Sequence, residues 1–404
     1  MLDPLVFRVM FVQHPLIRSL CLQAFCLCAC HADEASVPAS KNVAPVTEST
    51  WKISYGEVTA PTLVSGRIVA EVPGSAVLVE ERNGKQHQIQ VRQIQTREET
   101  AEPFLRFTSA ELAADLLKQV PAGFEIAETE HYVICSNSAT EYVDYTAKLL
   151  ELVFEQYFRF MKDQKVEVTT PPGKLPIVIF ASASEFQAFA AQQHPTISFD
   201  DTPGYFSITD NQTLLLDLTG DRSIRSAAAI RKRLSEKPLQ VATVVHEAVH
   251  QLAFNSGLQI RMADNPLWLS EGLAMYFETT SSKSSMLWSR PGLVNPRHQP
   301  AFVKLVNGNS VSGGMNGLIE SDSAFLNAAE MGDAYAKSWA LTHFLLREEK
   351  VGMQKFFDGV AKRKPMVGMT PAERIEEFQK AFGKMPDEME RELVSFMKRQ
   401  RVSR

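Results

Sequence analysis

The amino-acid sequence predicts an α+β protein whose strands concentrate in the first half and whose helices dominate the second. Short alternating runs fill residues 50–100, and continuous apolar runs such as 131–135 and 174–180 are typical of buried strands. From residue 239 onward, apolar residues recur at helical spacing. A chain of 404 residues with 45% hydrophobic and 22% charged residues can form one large core or two smaller ones.

The N-terminal segment predicts export. Arg18 precedes an apolar run at residues 20–29, which is followed by Cys30-His31-Ala32 and a polar stretch. This pattern is typical of a signal peptide spanning 1–32. Four of the five cysteines lie between residues 21 and 30, so no disulfide framework is expected in the mature chain. We therefore expect the protein in the periplasm or cell envelope.

A lipid anchor is an alternative to simple release. Leu27-Cys28-Ala29-Cys30 resembles a bacterial lipoprotein signal, in which cleavage after residue 29 would leave a lipid on Cys30. This anchor is the one membrane contact that the sequence leads us to expect. Residues 33–49, rich in Ala, Ser, Pro and Val, are expected to form a linker.

Residues 50–100 predict a small β-domain. Gly66–Val72 and Ala76–Glu80 flank a Pro73-Gly74-Ser75 turn, and Asn83-Gly84 marks a tight hairpin turn before residues 86–94. Four or five short strands in roughly fifty residues suggest an SH3-like barrel or sheet. A helix over residues 107–120 is expected to link it to a second domain at 124–401.

The second domain is expected to begin with a mixed sheet and end with helices. Predicted strands cover residues 131–135, 174–180, 204–208 and 213–218, and a helix covers 140–161. A second helix, with Ser184 as its N-cap, is predicted to extend through Phe189. After Glu278 an irregular stretch extends to about Asn316. The remaining helices are predicted over residues 322–331, 335–350, 354–363, 370–382 and 386–398.

The motif His246-Glu247-Ala248-Val249-His250 is the strongest functional signal, and it lies inside a helix predicted over residues 239–254. Imidazoles one helical turn apart can reach one Zn²⁺ at about 2.0–2.1 Å without bending the backbone. Glu247 is placed to take a proton rather than to bind the metal. The motif therefore predicts two metal ligands and a general base.

A catalytic zinc site needs a third protein ligand and an open fourth position. Asn265 as N-cap and Pro266 in the first turn predict a second helix, which carries Glu271 among large apolar residues. A carboxylate in such surroundings favours a cationic partner. Glu271 is the candidate third ligand.

With His246–His250 followed by Trp268-Leu269-Ser270-Glu271-Gly272-Leu273-Ala274, the chain resembles the gluzincin metallopeptidases, which include thermolysin and aminopeptidase N. It is most similar to the bacterial peptidase MA-like domains, because Gly204-Tyr205-Phe206 and the segment Tyr335 to Leu341 match a strand before the metal helix and a helix after it. The resemblance spans residues 125–401. It implies a gluzincin-type domain, one Zn²⁺ bound by His246, His250 and Glu271, and Glu247 as general base.

The resemblance also implies a strand at the cleft edge that holds the peptide backbone. That strand is 213–218 or its partner, which contains the candidate substrate-binding residues Gly204 and Tyr205. Thermolysin-like enzymes orient the first His with an Asp four residues after the ligand Glu, where this chain has Met275. Glu278 is the candidate to replace that Asp, with Asp264 as a weaker one.

An oxyanion donor is expected in the C-terminal half, where Tyr335, His343 and His298 are the candidates. Tyr335 is favoured because it starts the helix that resembles the family's. The expected function is an exported zinc metallopeptidase that hydrolyses a peptide or protein substrate through a Glu-activated, zinc-bound water.

A second function class remains open. A catalytically inactive cell-envelope binding or scaffold protein could retain the same fold, although the intact base and three ligands favour the enzyme. The net charge of −5 gives no basic surface, so nucleic acid is not an expected partner. The sequence predicts no oligomeric state.

Overall fold

The structure is a computed structural model, and it describes residues 48–194, 202–220, 223–308 and 314–402. The predicted signal segment at 1–32 (or 1–29), Cys30 and residues 33–47 of the linker lie outside the described residues. Within them the chain contains two five-stranded sheets and twelve α-helices. The predicted α+β class is confirmed.

The N-terminal sheet is antiparallel, with strand order β4-β3-β2-β1-β5. Gly74 and Gly84 have positive φ at the two predicted turns, which glycine adopts without strain. The strands are β1 (Ser49–Glu57), β2 (Ala60–Val72), β3 (Ala76–Glu81), β4 (Gln86–Gln90) and β5 (Ile94–Pro103).

No barrel closure is found in the N-terminal sheet, because its edge strands β4 and β5 show no pairing with each other within the described residues. The single strand predicted over 86–94 is wrong. A 3-10 turn, Val91–Gln93, interrupts it and lets the chain cross from one edge of the sheet to the other. Its core consists of Ile53, Val64, Ile68, Val77, Val79 and Ile89.

The second sheet has the order β6-β7-β8-β10-β9, with β7, β8 and β10 parallel and both edge strands antiparallel. Its central strands are mostly apolar, since helices cover both faces. The strands are β6 (Glu125–Glu128), β7 (Tyr132–Ser136), β8 (Leu175–Phe180), β9 (Gly204–Ser207) and β10 (Gln212–Leu216).

Helices α1 (Ser109–Gln119) and α3 (Ala183–Gln193) pack on one face of this sheet, where Cys135 is fully buried. The opposite face carries α2 (Thr140–Asp163), α4 (Ala227–Glu236) and α5 (Pro238–Asn255). The predicted cap of α3 was wrong, because Ser182 rather than Ser184 accepts the Glu185 N–H. Helix α4 was not predicted, since it buries only Ile230 and Leu234.

The C-terminal half is helical, but its predicted boundaries needed correction. Helix α7 lies inside the stretch expected to be irregular, and buries only His298 and Phe302. The helices are α6 (Leu267–Phe277), α7 (His298–Asn307), α8 (Gly314–Glu320), α9 (Met331–Glu348), α10 (Lys350–Val360), α11 (Pro371–Phe382) and α12 (Pro386–Arg399).

The prediction of a helix over residues 322–331 was wrong. A short 3-10 turn, Ser323–Phe325, stands there, and the Asn327 side chain accepts the Ala329 N–H instead of leaving it to a helix. Helix α9 starts at Met331, four residues before the predicted start, and α10 starts at Lys350. None of the helices in the described ranges is long and apolar enough to cross a membrane.

Candidate metal centre

Helix α5 brings His246, Glu247 and His250 to the interior. It begins at Pro238, whose missing N–H is not needed in a first turn, and Gly257 follows its end with a φ of 79°. The two imidazole centroids are 4.7 Å apart, and each histidine is 2% exposed. Both rings therefore face one buried point from a regular helix.

Helix α6 supplies Glu271, and every residue of this helix is buried. Asn265 does not cap it as predicted, because its side-chain amide donates to the carbonyl of Ile260 at 2.7 Å. The helix starts at Leu267, whose N–H donates to Oδ1 of Asp322 at 2.9 Å. A side chain distant in sequence thus caps the helix that presents Glu271.

Asp264, the weaker of the two candidates for orienting His246, forms its described contacts elsewhere. Its carboxylate pairs with Arg374 at 2.5 Å and accepts the Met369 N–H at 2.6 Å. Arg374 also pairs with Asp322 at 2.9 Å, so these groups stabilise the start of α6.

Gly272 permits close packing directly after Glu271. A Cβ at this position would overlap Oγ1 of Thr342 and lie 2.8 Å from the carbonyl oxygen of Ser338. Both residues belong to α9, so the absence of a side chain at Gly272 lets α9 cross α6 beside the candidate ligand. The same helix carries Tyr335.

The ligand-capable atoms of His246, His250 and Glu271 all lie within 4.8 Å of one another. Nε2 of His246 is 3.2 Å from Oε2 of Glu271, and Nε2 of His250 is 3.6 Å from Oε1. Ligands at about 2.0–2.1 Å from a tetrahedral Zn²⁺ are roughly 3.3 Å apart. The three residues therefore fit a zinc ion in donor type and in spacing.

The electrostatics of the cluster favour a cation. Burial raises the pKa of Glu271, and it lowers the pKa of His250, so that His250 is neutral as a metal ligand must be. Burial alone would also lower the pKa of His246, but its hydrogen bonds to Glu271 and Glu278 raise it. A dication would replace the proton that His246 holds between these carboxylates.

Glu247 lies beside the cluster and is 1% exposed. Its carboxylate accepts a hydrogen bond from the backbone N–H of Phe206, while Oε1 has no hydrogen-bond partner among the described residues. Burial raises the pKa of Glu247 to about 8, which a nearby dication would lower again. An unsatisfied acceptor at this place suits a group that takes a proton from a water.

Glu278 supplies the carboxylate next to His246 that Met275 cannot supply. Oε2 of Glu278 lies 2.7 Å from Nδ1 of His246, which leaves Nε2 of that ring facing Glu271. Oε1 accepts from Asn295 at 2.8 Å and lies 3.5 Å from Nε2 of His298. Burial would raise the pKa of Glu278, but hydrogen bonds from His246 and His298 hold it well below its usual value.

Tyr335 lies in the second turn of α9, because the helix begins earlier than predicted. Burial and the negative charges of Glu271, Glu247 and Glu278 raise the pKa of its hydroxyl well above the usual value. The hydroxyl therefore lies within electrostatic range of the three carboxylates and stays protonated.

The other two oxyanion candidates are placed differently. His298 lies next to Glu278, as its contact with Oε1 shows. His343 packs among the rings of Tyr276, Trp339 and Phe396, where burial lowers its pKa to about 3. These surroundings make His343 part of the core rather than of the metal cluster.

Strand β9 is the edge strand next to α5, whereas β10, the other strand left open by the sequence, lies inside the sheet. The Leu216 N–H donates to the carbonyl of Pro203. In an antiparallel pair every second residue is hydrogen-bonded to the neighbouring strand, so the backbone groups of Gly204 and Phe206 point away from β10. The hydrogen bond from Phe206 to Glu247 agrees with this orientation.

Gly204 and Tyr205 therefore differ in the direction of their backbone groups. Gly204 turns its backbone groups to the side of β9 away from β10, in a strand that is buried throughout, and a Cβ there would lie 3.1 Å from Cγ2 of Thr243 on α5. Tyr205 is paired with Leu214, and its ring contacts Phe186 on the sheet face opposite α5. The edge beside Glu247 thus consists of Gly204 and Phe206.

Sequence reasoning missed Phe206 and Asn295. Phe206 acts through its backbone N–H, for which the residue type gives no signal. Asn295 lies 17 residues after Glu278 in an irregular segment, and no spacing rule connects the two. Only the loop's return towards α6 brings Asn295 to this carboxylate.

A family model described as "Protein of unknown function (DUF1570)" matches residues 240–367. The matched segment includes the candidate ligands, Glu247, Glu278 and Tyr335. It covers under a third of the chain, and its description gives no activity. The comparison with curated proteins found no match.

Proposed function

We propose that this protein is a zinc-dependent metallopeptidase of gluzincin type. The observation that carries the proposal is the buried cluster of His246, His250 and Glu271, with Oε1 of Glu247 unsatisfied beside it. Two imidazoles and one carboxylate are the ligand set of catalytic zinc in thermolysin-type sites. The described residues that surround them supply a base, an orienting carboxylate and a strand edge.

His246, His250 and Glu271 would hold the ion, and Glu278 would fix the ring of His246 through Nδ1. When bound, Zn²⁺ supplies a Lewis acid that acidifies water and polarises a carbonyl group. Fixing the ring matters because a histidine that can rotate binds metal less tightly.

Glu247 is the proposed general base. Its carboxylate would accept one proton from the attacking water while the water oxygen bonds to the carbonyl carbon of the substrate. It would then pass that proton to the amide nitrogen as the C–N bond breaks, which gives a carboxylic acid and an amine. The remaining water proton would move from the acid to the amine, which gives a carboxylate and an ammonium group. The Phe206 N–H holds the carboxylate during both transfers.

Tyr335 and the β9 edge are proposed to bind the substrate. The protonated hydroxyl of Tyr335 would donate to the carbonyl oxygen as it becomes negative. The backbone groups of Gly204 and the carbonyl group of Phe206 would pair with an extended peptide, which adds a strand to the sheet. A peptide at this edge would pass directly beside Glu247.

The finer fold and the location are proposals of the same kind. We propose a gluzincin-type domain for residues 124–401 and an SH3-like fold for residues 50–100, as a barrel left open between β4 and β5. We also propose export to the periplasm or cell envelope, either free or with a lipid on Cys30. N-terminal sequencing of the protein from its native host tests export, because an intact Met1 would contradict it.

A peptide-library digest by wild type and Glu247→Gln, prepared side by side and loaded with zinc, tests the function. We expect cleavage by wild type and almost none by the variant at equal zinc content, because an amide cannot accept the proton. Equal cleavage by both would assign the activity to other chemistry. No cleavage by zinc-loaded wild type would favour the binding or scaffold protein that the sequence left open.

A further inference from the structure

The β3–β4 hairpin of the N-terminal sheet contacts the turn that connects β9 to β10, residues 208–211. The Gln86 N–H donates to the carbonyl of Thr209 at 2.8 Å. Nζ of Lys85 lies 2.9 Å from Oδ1 of Asp210. The hairpin thus contacts the far end of the strand whose edge faces Glu247.

A buried ion pair strengthens this contact. Arg261 follows α5 and is 8% exposed, and its guanidinium pairs with Glu80 of β3 at 2.5 Å. The same guanidinium donates to the carbonyls of Gly84, at 2.7 Å, and Ile208, at 3.2 Å. One side chain therefore connects the hairpin, the end of β9 and the segment after the metal helix.

Glu80 is the central anion of this contact. It is 2% exposed and also pairs with Arg67 at 2.7 Å and Arg106 at 2.8 Å. Burial would raise the pKa of Glu80, but the charges of Arg261, Arg106 and Arg67 hold it below its usual value. Loss of its charge would leave buried Arg261 without this counter-ion, which is a strongly unfavourable state.

Apolar packing joins the same elements. Ala70 and Leu78 of the N-terminal sheet form one buried cluster with Phe206 and Ile208, together with Phe254 and Met262. The Phe206 side chain therefore packs under the N-terminal sheet while its backbone N–H holds Glu247. Movement of the sheet would move Phe206 directly.

We propose that the N-terminal sheet positions the β9 edge for the peptide substrate, with Glu80 and Arg261 as positioning residues. This inference rests on the proposed peptidase function for its kinetic consequence, but not for its structural one. The proposed metal ligands lie on α5 and α6, and the contacts described for the two histidines are with Glu271, Glu278 and each other. A disturbed hairpin should therefore impair peptide binding at β9 and leave zinc binding intact.

The test compares Glu80→Gln with Glu71→Gln in the full-length, zinc-loaded protein. Glu71 is a matched control, because it lies in the same sheet and pairs with Arg97 at 2.9 Å. Hydrogen exchange is measured for residues 204–211 and for α5, and kcat and KM for a peptide that wild type cleaves.

For Glu80→Gln we expect exchange at residues 204–211 to become about tenfold faster, with α5 and zinc content unchanged. KM should rise about tenfold or more, and kcat should fall less, because β9 contributes binding that the peptide uses before the chemical step. Glu71→Gln should behave as wild type. Lys85→Ala, which leaves Glu80 and its three arginine partners intact, should show the same pattern more weakly. It replaces Glu80→Gln in the test if that variant does not fold.

Unchanged exchange at residues 204–211 in both Glu80→Gln and Lys85→Ala would overturn the inference. So would a lower melting temperature accompanied by unchanged KM and unchanged exchange, since this result describes a structural contact only. If wild type cleaves no peptide, the proposed function fails, and the exchange data alone still decide whether the sheet positions β9.

Discussion

Glu278 should control zinc affinity without binding the ion. Its Oε2 lies 2.7 Å from Nδ1 of His246, a hydrogen bond between a carboxylate and an imidazole. A charge-assisted bond of this kind contributes about 1.5–3 kcal/mol. Orienting groups behind metal-binding histidines change affinity by about 10–100-fold, or roughly 1.4–2.7 kcal/mol. The two ranges agree, so a loss of about 10–100-fold is expected.

Two substitutions at Glu278 separate charge from orientation. Glu278→Gln keeps an acceptor for Nδ1 and should weaken zinc binding about tenfold, whereas Glu278→Ala removes the acceptor and should approach a 100-fold loss. Competition titration with a zinc-binding dye measures both dissociation constants, and exposed Glu348→Gln serves as the control. If Glu278→Ala binds zinc within about twofold of wild type, Glu278 does not orient His246.

Three further changes test the surroundings of the cluster. Gly272→Ala should lower the free energy of unfolding by about 1–3 kcal/mol in thermal unfolding, and adding Thr342→Ala should restore part of that loss. An unchanged free energy of unfolding in Gly272→Ala would refute the close crossing of α6 and α9. Tyr335→Phe should reduce kcat about 10²–10³-fold with zinc content unchanged, and full activity would remove it as oxyanion donor. Asp322→Ala should cost about 1–3 kcal/mol in denaturant unfolding, because the Leu267 N–H and buried Arg374 each lose a partner, and unchanged stability would refute that cap.

The sequence predicted what depends on regular spacing. The positions of His246 and His250 in α5, of Glu271 in α6 and of the capping box at Thr370 follow from helical periodicity and local capping. The two glycine turns of the N-terminal sheet follow from the need for positive φ. These features are set by residues within a few positions of one another.

Features that depend on contacts between distant segments could not be predicted. Asn265 has the residue type of an N-cap, yet the carboxylate that caps α6 comes from Asp322, 55 residues later. Helix α7 buries too few side chains to produce an apolar period, and the helix predicted over 322–331 competes with the polar side chain of Asn327. In each case tertiary contacts outweigh local preference.

The contact between the N-terminal sheet and β9 could not be predicted from the sequence either. The sequence shows Glu80 and Arg261 as ordinary charged residues, 181 positions apart. Burial of both gives their ion pair its importance, and burial is a property of the folded chain. The candidate ligands could thus be found from sequence, whereas the groups that orient the site could be found only in part.

The most direct measurement is the zinc content of purified protein after dialysis, determined by mass spectrometry for wild type and variants. About one zinc per chain is expected in wild type and in Glu247→Gln, because Glu247 is the proposed base and not one of the three proposed ligands. His246→Ala and Glu271→Ala should retain almost none, since two remaining ligands make a weak site. Stoichiometric zinc in either ligand variant, or none in wild type, would contradict the assignment of the metal centre.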